Sequence, residues 1–324
     1  MQAMVRESYG SADVIPSAEV ERPLPAAGEV QLRVRAAGLD RGAWHMLTGE
    51  PYLMRLAGFG LRRPKNPGLG GDVAGVVEAV GAGVSAFSAG DEVFGMGRNT
   101  FAEFAVARAD MIAVKPAAIG FEQAAAVPVS AVTALQALRD QGRVEAGQSV
   151  LVIGASGGVG TFAVQLAKAF GAQVTGVCST AKVDLVRSLG ADHVVDYTTT
   201  RLEQAGVRYD LVLDIGGNRP LRTLRRLLTP RGTLVFVGGE DGGGLSGGLG
   251  RQLRASVLSP FVGQRLGGMW IAKVNTADLE VLSAMLASGA VVPALDRVCR
   301  LPQLPEAMRD LAAGRVRGKI AITV

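Results

Sequence analysis

The sequence predicts an α/β protein with a β-rich part followed by a doubly wound parallel sheet. Before about Pro116, apolar residues recur with a period of two, which is the period of a half-buried strand. From Phe121 onwards, strand-like and helix-like segments alternate, as in a parallel sheet covered by helices. A chain of 324 residues is long enough for two domains of this kind.

Short strands are predicted in the first third of the chain. In Glu29–Ala37, apolar residues alternate with polar ones such as Arg33 and Arg35. Asp72–Val80 is an apolar run broken only by Glu78, and Asp91–Gly95 follows a glycine turn. These segments have the length and composition of strands bounded by turns.

The alternating region begins with a helical segment, Phe121–Asp140, interrupted at Pro128. The segments that follow are Ser149–Ile153, Gly158–Phe170, Gln173–Val177, Thr180–Leu189, Val194–Asp196, Tyr209–Asp214, Pro220–Leu228 and Thr233–Val237. Gly238–Gly250 is glycine-rich and is either a mobile lid or a plain connection. Leu295–Val324 has the pattern strand, helix, strand, which allows it to rejoin the first domain.

Composition excludes several classes of protein. With 48% hydrophobic and 19% charged residues, the chain has the composition of a folded protein and not of a disordered one. Its net charge of +5 comes without a block of like charges, which argues against a nucleic-acid partner and favours a small anion. The two cysteines, Cys178 and Cys299, are too few for a disulfide framework and are expected to be buried.

We expect no membrane span and a cytoplasmic location. The longest weakly polar run, Gln123–Arg139, is interrupted by polar residues and by Pro128, so it falls short of a transmembrane helix. Met1–Gly10 contains Glu7 and lacks the apolar stretch of a signal peptide.

The most specific motif is a glycine turn between an apolar strand and an amphipathic helix. Glycines at such a junction let the backbone approach a pyrophosphate, and the helix N-terminus supplies free N–H groups. Dinucleotide binding is therefore predicted, although glycines needed only for helix–sheet packing are the alternative. The predicted contacts are Ser156, Gly157, Gly158, Val159 and Gly160.

The residues after the next strand indicate which dinucleotide binds. An Asp or Glu that would hold the ribose of NAD is missing from Cys178–Lys182. Ser179 and Lys182 suit a 2′-phosphate instead, so NADPH is the predicted cofactor. The alternative for Lys182 is a solvated charge in the first turn of a helix.

Six motifs in order resemble one family. They are Val34–Leu39, Gly71–Val77, Gly90–Gly95, Gly154–Gly160, Leu189–Asp192 and Gly318-Lys319. The whole chain resembles the medium-chain dehydrogenase/reductase superfamily, in particular its zinc-lacking quinone oxidoreductase branch. The resemblance implies a GroES-like catalytic domain over 1–122, joined by 292–324, and a Rossmann domain over 123–291. It also implies an active site in the cleft between them and a homodimer formed along the Rossmann sheet edge.

No metal site is predicted. In the zinc enzymes of the superfamily, a Cys and a His-Glu pair hold the catalytic ion, and the matching positions here are Leu39-Asp40 and Gly71-Asp72. His45 and His193 have no spacing that would replace these ligands. Without a Lewis acid, conjugated acceptors that delocalise charge, such as quinones and α,β-unsaturated carbonyls, are the expected substrates.

The resemblance also implies roles for individual residues. Tyr52 is the candidate proton donor or stacks beside the nicotinamide, and Asp40, where the branch usually has Asn, is a second catalytic candidate. Trp44 and Phe59 wall the substrate pocket or pack in the core. The remaining predicted cofactor contacts are Thr133, Ser179, Lys182, Tyr197, Asn218, Phe236, Val237, Gly238, Gly239 and Lys319.

Two other functions stay open. A 2-enoyl thioester reductase would need a basic pocket, for which Arg62, Arg63 and Lys65 form the early cluster. The second open function comes from a different class of protein: an NADPH-binding sensor or structural protein whose turnover is incidental. Neither a nucleic acid nor a membrane is an expected partner.

Overall fold

The computed structural model describes residues 1–202, 206–217, 219–238, 248–268 and 270–324. Predictions for Asn218, Gly239 and most of the glycine-rich segment 238–250 lie outside these residues. The strands are β1 (Gln2–Met4), β2 (Ser17–Glu19), β3 (Glu29–Leu39), β4 (Asp72–Val80), β5 (Glu92–Arg98), β6 (Phe104–Val114), β7 (Ser149–Ile153), β8 (Gln173–Cys178), β9 (His193–Asp196), β10 (Tyr209–Asp214), β11 (Leu228–Phe236), β12 (Arg265–Leu266), β13 (Leu295–Arg300) and β14 (Lys319–Thr323). The helices are α1 (Arg41–Thr48), α2 (Phe121–Ala125), α3 (Pro128–Gln136), α4 (Gly158–Ala169), α5 (Val183–Ser188), α6 (Leu221–Arg226), α7 (Leu249–Leu258), α8 (Thr276–Ala287) and α9 (Leu304–Ala312).

The chain divides into two units at positions that differ from the predicted boundaries. Unit 1 comprises 1–132, 273–289 and 293–324, and unit 2 comprises 133–272 and 290–292. Helix α8 lies in unit 1 because it packs on β6, where the Thr276 hydroxyl donates to the Ile112 carbonyl at 2.9 Å. Residues 290–292 lie in unit 2 because the Gln165 side chain exchanges two hydrogen bonds with the backbone of Val292.

Unit 1 is built on a mainly antiparallel sheet with the order β13-β14-β3-β4-β5-β6. Strand β3 also pairs with β6, so β3, β4, β5 and β6 form a closed ring of strands. The alternation in β3 holds at Arg33 and Arg35, which are exposed between buried neighbours. It fails at Gln31, which is buried because its amide donates to the Pro23 carbonyl and accepts from Arg22.

The end of the chain rejoins unit 1, as predicted. Strand β14 pairs antiparallel with β3, and β13 pairs parallel with β14. Helix α9 lies between these two strands in sequence and buries Leu304, Ala307 and Met308 in the core cluster that also contains Leu39 and Phe101.

Unit 2 is a parallel sheet with the order β12-β11-β10-β7-β8-β9, which confirms the doubly wound prediction. The order reverses between β7 and β10, and in such folds ligands bind at the carboxyl ends of the strands beside this point. The cysteine prediction is also confirmed, because Cys178 and Cys299 are both free and buried. Among the described residues, no helix combines the length and apolar character needed to cross a bilayer.

Candidate cofactor and active site

The glycine turn lies at the carboxyl end of β7 and opens α4. Gly154 has φ +89°, a conformation that glycine adopts without strain, and a Cβ on Gly160 would come within 2.1 Å of the Gly154 carbonyl oxygen. These two glycines are therefore required by the turn and by helix packing. A Cβ on Gly157, in contrast, would meet nothing closer than 3.5 Å.

The open space at Gly157 fits a group that approaches from outside the protein. Gly157 is the N-cap of α4, and no side chain caps this helix end. The first N–H groups of a helix have no partner within the helix, and the helix dipole favours an anion there. The turn thus fits the pyrophosphate of a dinucleotide, which the backbone of residues 157–160 would hold. The Ser156 residue itself is buried.

The predicted 2′-phosphate residues follow β8. Ser179 is half-buried and caps the 3-10 turn Thr180–Lys182, while Tyr197 is exposed and donates its N–H to the Cys178 carbonyl at 3.1 Å. The structure adds a residue that sequence reasoning missed. Asp196, the register partner of Cys178, accepts hydrogen bonds from the Thr180 and Thr198 hydroxyls.

Asp196 brings a negative charge to the predicted phosphate site. The hydrogen bonds from Thr180 and Thr198 lower the pKa of its carboxyl, so it is ionised at neutral pH. The predicted cation of this site, Lys182, is the last residue of the 3-10 turn Thr180–Lys182. The sequence did hold a signal for Asp196. The strand predicted at 194–196 ends in this aspartate, and neighbouring parallel strands end on the same side of a sheet.

The carboxyl ends of β10 and β11 are held together by a buried ion pair. The Asp214 carboxylate lies 2.8 Å from the guanidinium of Arg251, which comes from α7. The same guanidinium donates to the carbonyls of Arg219 and Gly238, and it lies 5.0 Å from the centroid of the Phe236 ring. Burial raises the pKa of Asp214, and the attraction of Arg251 opposes that rise.

This ion pair orders the segment predicted to lie beside the nicotinamide. Phe236 is buried, Val237 and Gly238 are half-buried, and the last two donate their N–H groups to the Asp214 carbonyl. Asp214 could have been identified as a charge at the end of an apolar strand, but nothing in the sequence indicates Arg251.

Thr133, another predicted cofactor contact, lies on α3 and is half-buried.

In unit 1, Asp40 has a structural role in the helix that follows it. It is the N-cap of α1, and its carboxylate accepts the N–H of Ala43 at 2.8 Å. Trp44 packs against the hydrophobic core from α1, which favours the core alternative for this residue. The predicted catalytic role of Asp40 stays a prediction.

Tyr52 lies beside an ordered arginine, Arg55, and Phe59 follows four residues later in the chain. The Tyr52 side chain is exposed, and the Arg55 guanidinium lies 4.6 Å from the centroid of its ring and 4.3 Å from that of Tyr9. Arg55 also donates to the carbonyls of Thr48 and Gly49, both at 2.9 Å. Phe59 is exposed at the end of a π-helical turn. Both aromatic residues are thus available on the surface of unit 1.

Asp72, at a position that matches a zinc ligand of the zinc enzymes, forms a buried ion pair. The Asp72 carboxylate is fully buried and lies 3.0 Å from the Lys319 ammonium, and its other oxygen accepts the N–H of Val129 at 2.8 Å. Burial raises the pKa of Asp72 to about 7, against the attraction of Lys319. The buried ammonium of Lys319 is thus directed to Asp72, and the cofactor contact predicted for Lys319 stays a prediction.

Among the residues described in the two units, metal-ligating side chains do not gather. Within the described ranges, no group of three or more His, Cys, Asp or Glu side chains could hold a metal ion. His45 contacts the Glu50 carbonyl through Nδ1 at 2.8 Å, and His193 is an exposed residue at the start of β9.

Comparisons with known proteins agree with this architecture. Residues 26–137 match the alcohol dehydrogenase GroES-like domain, and residues 189–322 match the family described as zinc-binding dehydrogenase. The mitochondrial NAD(P)H oxidoreductase RTN4IP1 of Danio rerio is 32% identical over all of this chain and 91% of its own length.

Two further proteins extend the comparison. The 2-methylene-furan-3-one reductase of Solanum lycopersicum is 31% identical over 99% of this chain and 79% of its own length. The quinone oxidoreductase structure from Coxiella burnetii superposes with a TM-score of 0.87 at 25% identity, over 100% of this chain and 99% of that one. With two family matches in order and relatives that span the whole chain, the protein belongs to the medium-chain dehydrogenase/reductase superfamily, in its quinone oxidoreductase branch.

Proposed function

We propose that this protein is an NADPH-dependent reductase of quinones and α,β-unsaturated carbonyls that works without zinc. The observation that carries the proposal is the glycine turn whose Gly157 is open to an outside ligand. The names of relatives agree with it, since one is an NAD(P)H oxidoreductase and another reduces a methylene-furanone.

The two acidic side chains at the positions matching zinc ligands already have other partners. Asp40 caps α1, and Asp72 pairs with Lys319. A catalytic zinc needs three protein ligands of the Cys, His or carboxylate type around one open position. The residue types at 39, 40, 71 and 72 therefore support zinc-independent chemistry.

Residues of the chain would hold the cofactor and manage the proton. NADPH, when bound, supplies the hydride. The backbone at 157–160 would hold its pyrophosphate, and Ser179 and Lys182 would hold its 2′-phosphate. When an enone accepts hydride at its β-carbon, the resulting enolate needs a proton or a hydrogen bond to its oxygen. The Tyr52 hydroxyl forms no hydrogen bond with the described residues and can donate one.

The test is the oxidation of NADPH with a panel of quinones, enones and 2-enoyl thioesters, with and without a chelator. We expect turnover of quinones and enones that the chelator does not change. Loss of activity on chelation, restored by zinc, would disprove zinc independence. A preference for thioesters would favour the alternative reductase, for which Arg62, Arg63 and Lys65 are all exposed. Absence of turnover with the entire panel would favour the sensor.

Tyr52→Phe keeps the ring and removes the hydroxyl. If Tyr52 donates the proton, kcat for enones falls by about 10²-fold, while the NADPH dissociation constant stays unchanged. Quinones lose much less, because solvent can protonate their reduced oxygens. An unchanged enone kcat would leave Tyr52 as a pocket wall beside Arg55.

Lys182→Ala tests the cofactor preference. Because a charge-assisted hydrogen bond to phosphate contributes about 1.5–3 kcal/mol, NADPH binding should weaken about 10- to 100-fold. NADH lacks the 2′-phosphate and is the internal control, so its affinity should change little. Equal losses for both cofactors would assign Lys182 to the fold.

We also propose a cytoplasmic homodimer. Strand β12 pairs only with β11 among the described strands, so it leaves a free sheet edge. Leu253, Val257 and Phe261 are exposed in the segment just before it, and a free edge beside exposed apolar residues supports pairing with a second copy. Molar mass from light scattering would test it, and a monomer at micromolar concentration would disprove it.

A further inference from the structure

Four arginines surround one cavity in unit 2. The cavity has a volume of about 590 Å³ and is lined by Arg208, Arg222, Arg225 and Arg226 together with Leu228, Pro230, Val262, Gly263 and Gln264. Among the residues that the structure describes, no acidic side chain contributes to this lining. We call these four residues the arginine cluster.

The arginine cluster lies away from the glycine turn. Arg208 immediately precedes β10, and Leu228 and Pro230 are at the beginning of β11. The cavity is therefore at the edge where these parallel strands start. The glycine turn follows the carboxyl end of β7, at the opposite edge of the same sheet. The cavity is thus separate from the proposed NADPH site.

No ion pair joins any of the four guanidinium groups to a residue that the structure describes. Arg225 is held by Gln264, which accepts from its Nε at 3.1 Å and donates to its carbonyl at 2.8 Å. The guanidinium groups of Arg208, Arg222 and Arg226 donate to no side chain or carbonyl in the described part of the chain. The carboxylate of Asp210 is engaged by Ser149 and Thr229.

The C-terminus of α6 stabilises only part of the positive charge in the arginine cluster. Cations near a helix C-terminus are favoured by the partial negative charge there, which is about half an elementary charge. Four guanidinium groups around one cavity exceed that charge several-fold and repel one another. An anion in the cavity would relieve this repulsion.

We propose that the cavity binds an oligophosphate, meaning two or more linked phosphate groups. The planar fork of arginine matches phosphate oxygens with two parallel hydrogen bonds. Four arginines exceed what one phosphate, with a charge of about −2 at most, would neutralise. The volume lies within the range of roughly 300–1,000 Å³ that small-ligand sites occupy.

The probe is inorganic tripolyphosphate, titrated by calorimetry into the protein saturated with NADPH. We expect binding at a stoichiometry of one. In the Arg222→Gln/Arg226→Gln double variant, the dissociation constant should rise at least about tenfold, because two charge-assisted contacts are lost. Arg254→Gln, which removes an exposed arginine of α7 outside the cavity, is the matched control and should bind as the wild type does.

Two further arms complete the test. Arg208→Gln changes a loop residue and leaves the helices unaltered. We expect it to weaken tripolyphosphate binding as well. ATP should bind like tripolyphosphate and adenosine should not, because the phosphate chain carries the recognition. Equal affinity in Arg222→Gln/Arg226→Gln and Arg254→Gln would overturn the proposal. It would also be overturned if saturation with NADPH abolished tripolyphosphate binding, since the anion would then occupy the cofactor site.

Discussion

Asp72 in unit 1 and Asp214 in unit 2 are both buried against a cation, and the two pairs are built differently. In unit 1, Asp72 and Lys319 join β4 to β14, and the two side chains are 0% and 2% exposed. In unit 2, the Arg251 side chain is 14% exposed, and its guanidinium contacts two backbone carbonyls besides Asp214. The first pair connects strands that are 247 residues apart in sequence. The second pair orders one loop segment at the sheet edge.

The choice of cation explains the difference. Lysine is a compact charge that satisfies one carboxylate, whereas the arginine fork has five N–H donors for several acceptors. A buried lysine pair therefore acts on the stability of the whole unit. The arginine pair acts on the position of residues 236–238, which are predicted to lie beside the nicotinamide. Its effect is expected in cofactor affinity more than in stability.

Lys319→Met has the largest expected effect. Removing the cation leaves the buried Asp72 unpaired or forces it to take up a proton, which costs about 3–5 kcal/mol of unfolding free energy. Urea denaturation measures the loss. Lys168→Met is the control, because the pair of Lys168 with Asp192 is about one-third exposed and contributes roughly 0–1 kcal/mol. Similar losses in the two variants would show that burial does not distinguish them.

The pH dependence of stability has the second-largest expected effect, and it depends on the buried Asp72. Burial raises the pKa of Asp72 to about 7, whereas an unfolded aspartate titrates near 3.9. The native state therefore holds more protons than the unfolded state between these values, and stability falls as pH rises from about 4 to 7. The slope of one group is at most about 1.4 kcal/mol per pH unit.

Asp72→Asn isolates that contribution. The unfolding free energy of wild type minus that of Asp72→Asn should decrease as pH rises through this window, since the groups outside the Asp72–Lys319 pair cancel. Urea denaturation at pH 4.5, 5.5 and 6.5 measures it. A difference that does not vary with pH would mean that Asp72 has the same pKa in both states.

Arg251→Lys has the smallest expected effect. It keeps the charge near Asp214 and loses the fork that reaches the Gly238 carbonyl, so NADPH affinity should weaken about tenfold, equivalent to about 1.4 kcal/mol. Arg254→Lys, on the same helix, is the control. Lower stability with unchanged NADPH affinity would contradict the assignment of Arg251 to the cofactor segment.

Local patterns in the sequence predicted much of the fold. β4, β7 and β10 have the predicted boundaries, because continuous apolar runs between turns indicate buried strands directly. The break at Pro128 separates α2 from α3, as expected for a residue that cannot donate within a helix. The domain boundaries differ because packing of α8 on β6, and not local sequence, assigns residues 273–289 to unit 1.

The sequence alone determined the family, the two kinds of sheet and the glycine turn, because each depends on residues a few positions apart. Only the tertiary structure decided which charges meet. Lys319 pairs with Asp72 because β14 and β4 both lie against β3, and Asp196 reaches Thr180 because β8 and β9 end at the same edge. The physical reason is that strand register brings together side chains from distant positions, and burial then determines how strongly their charges interact.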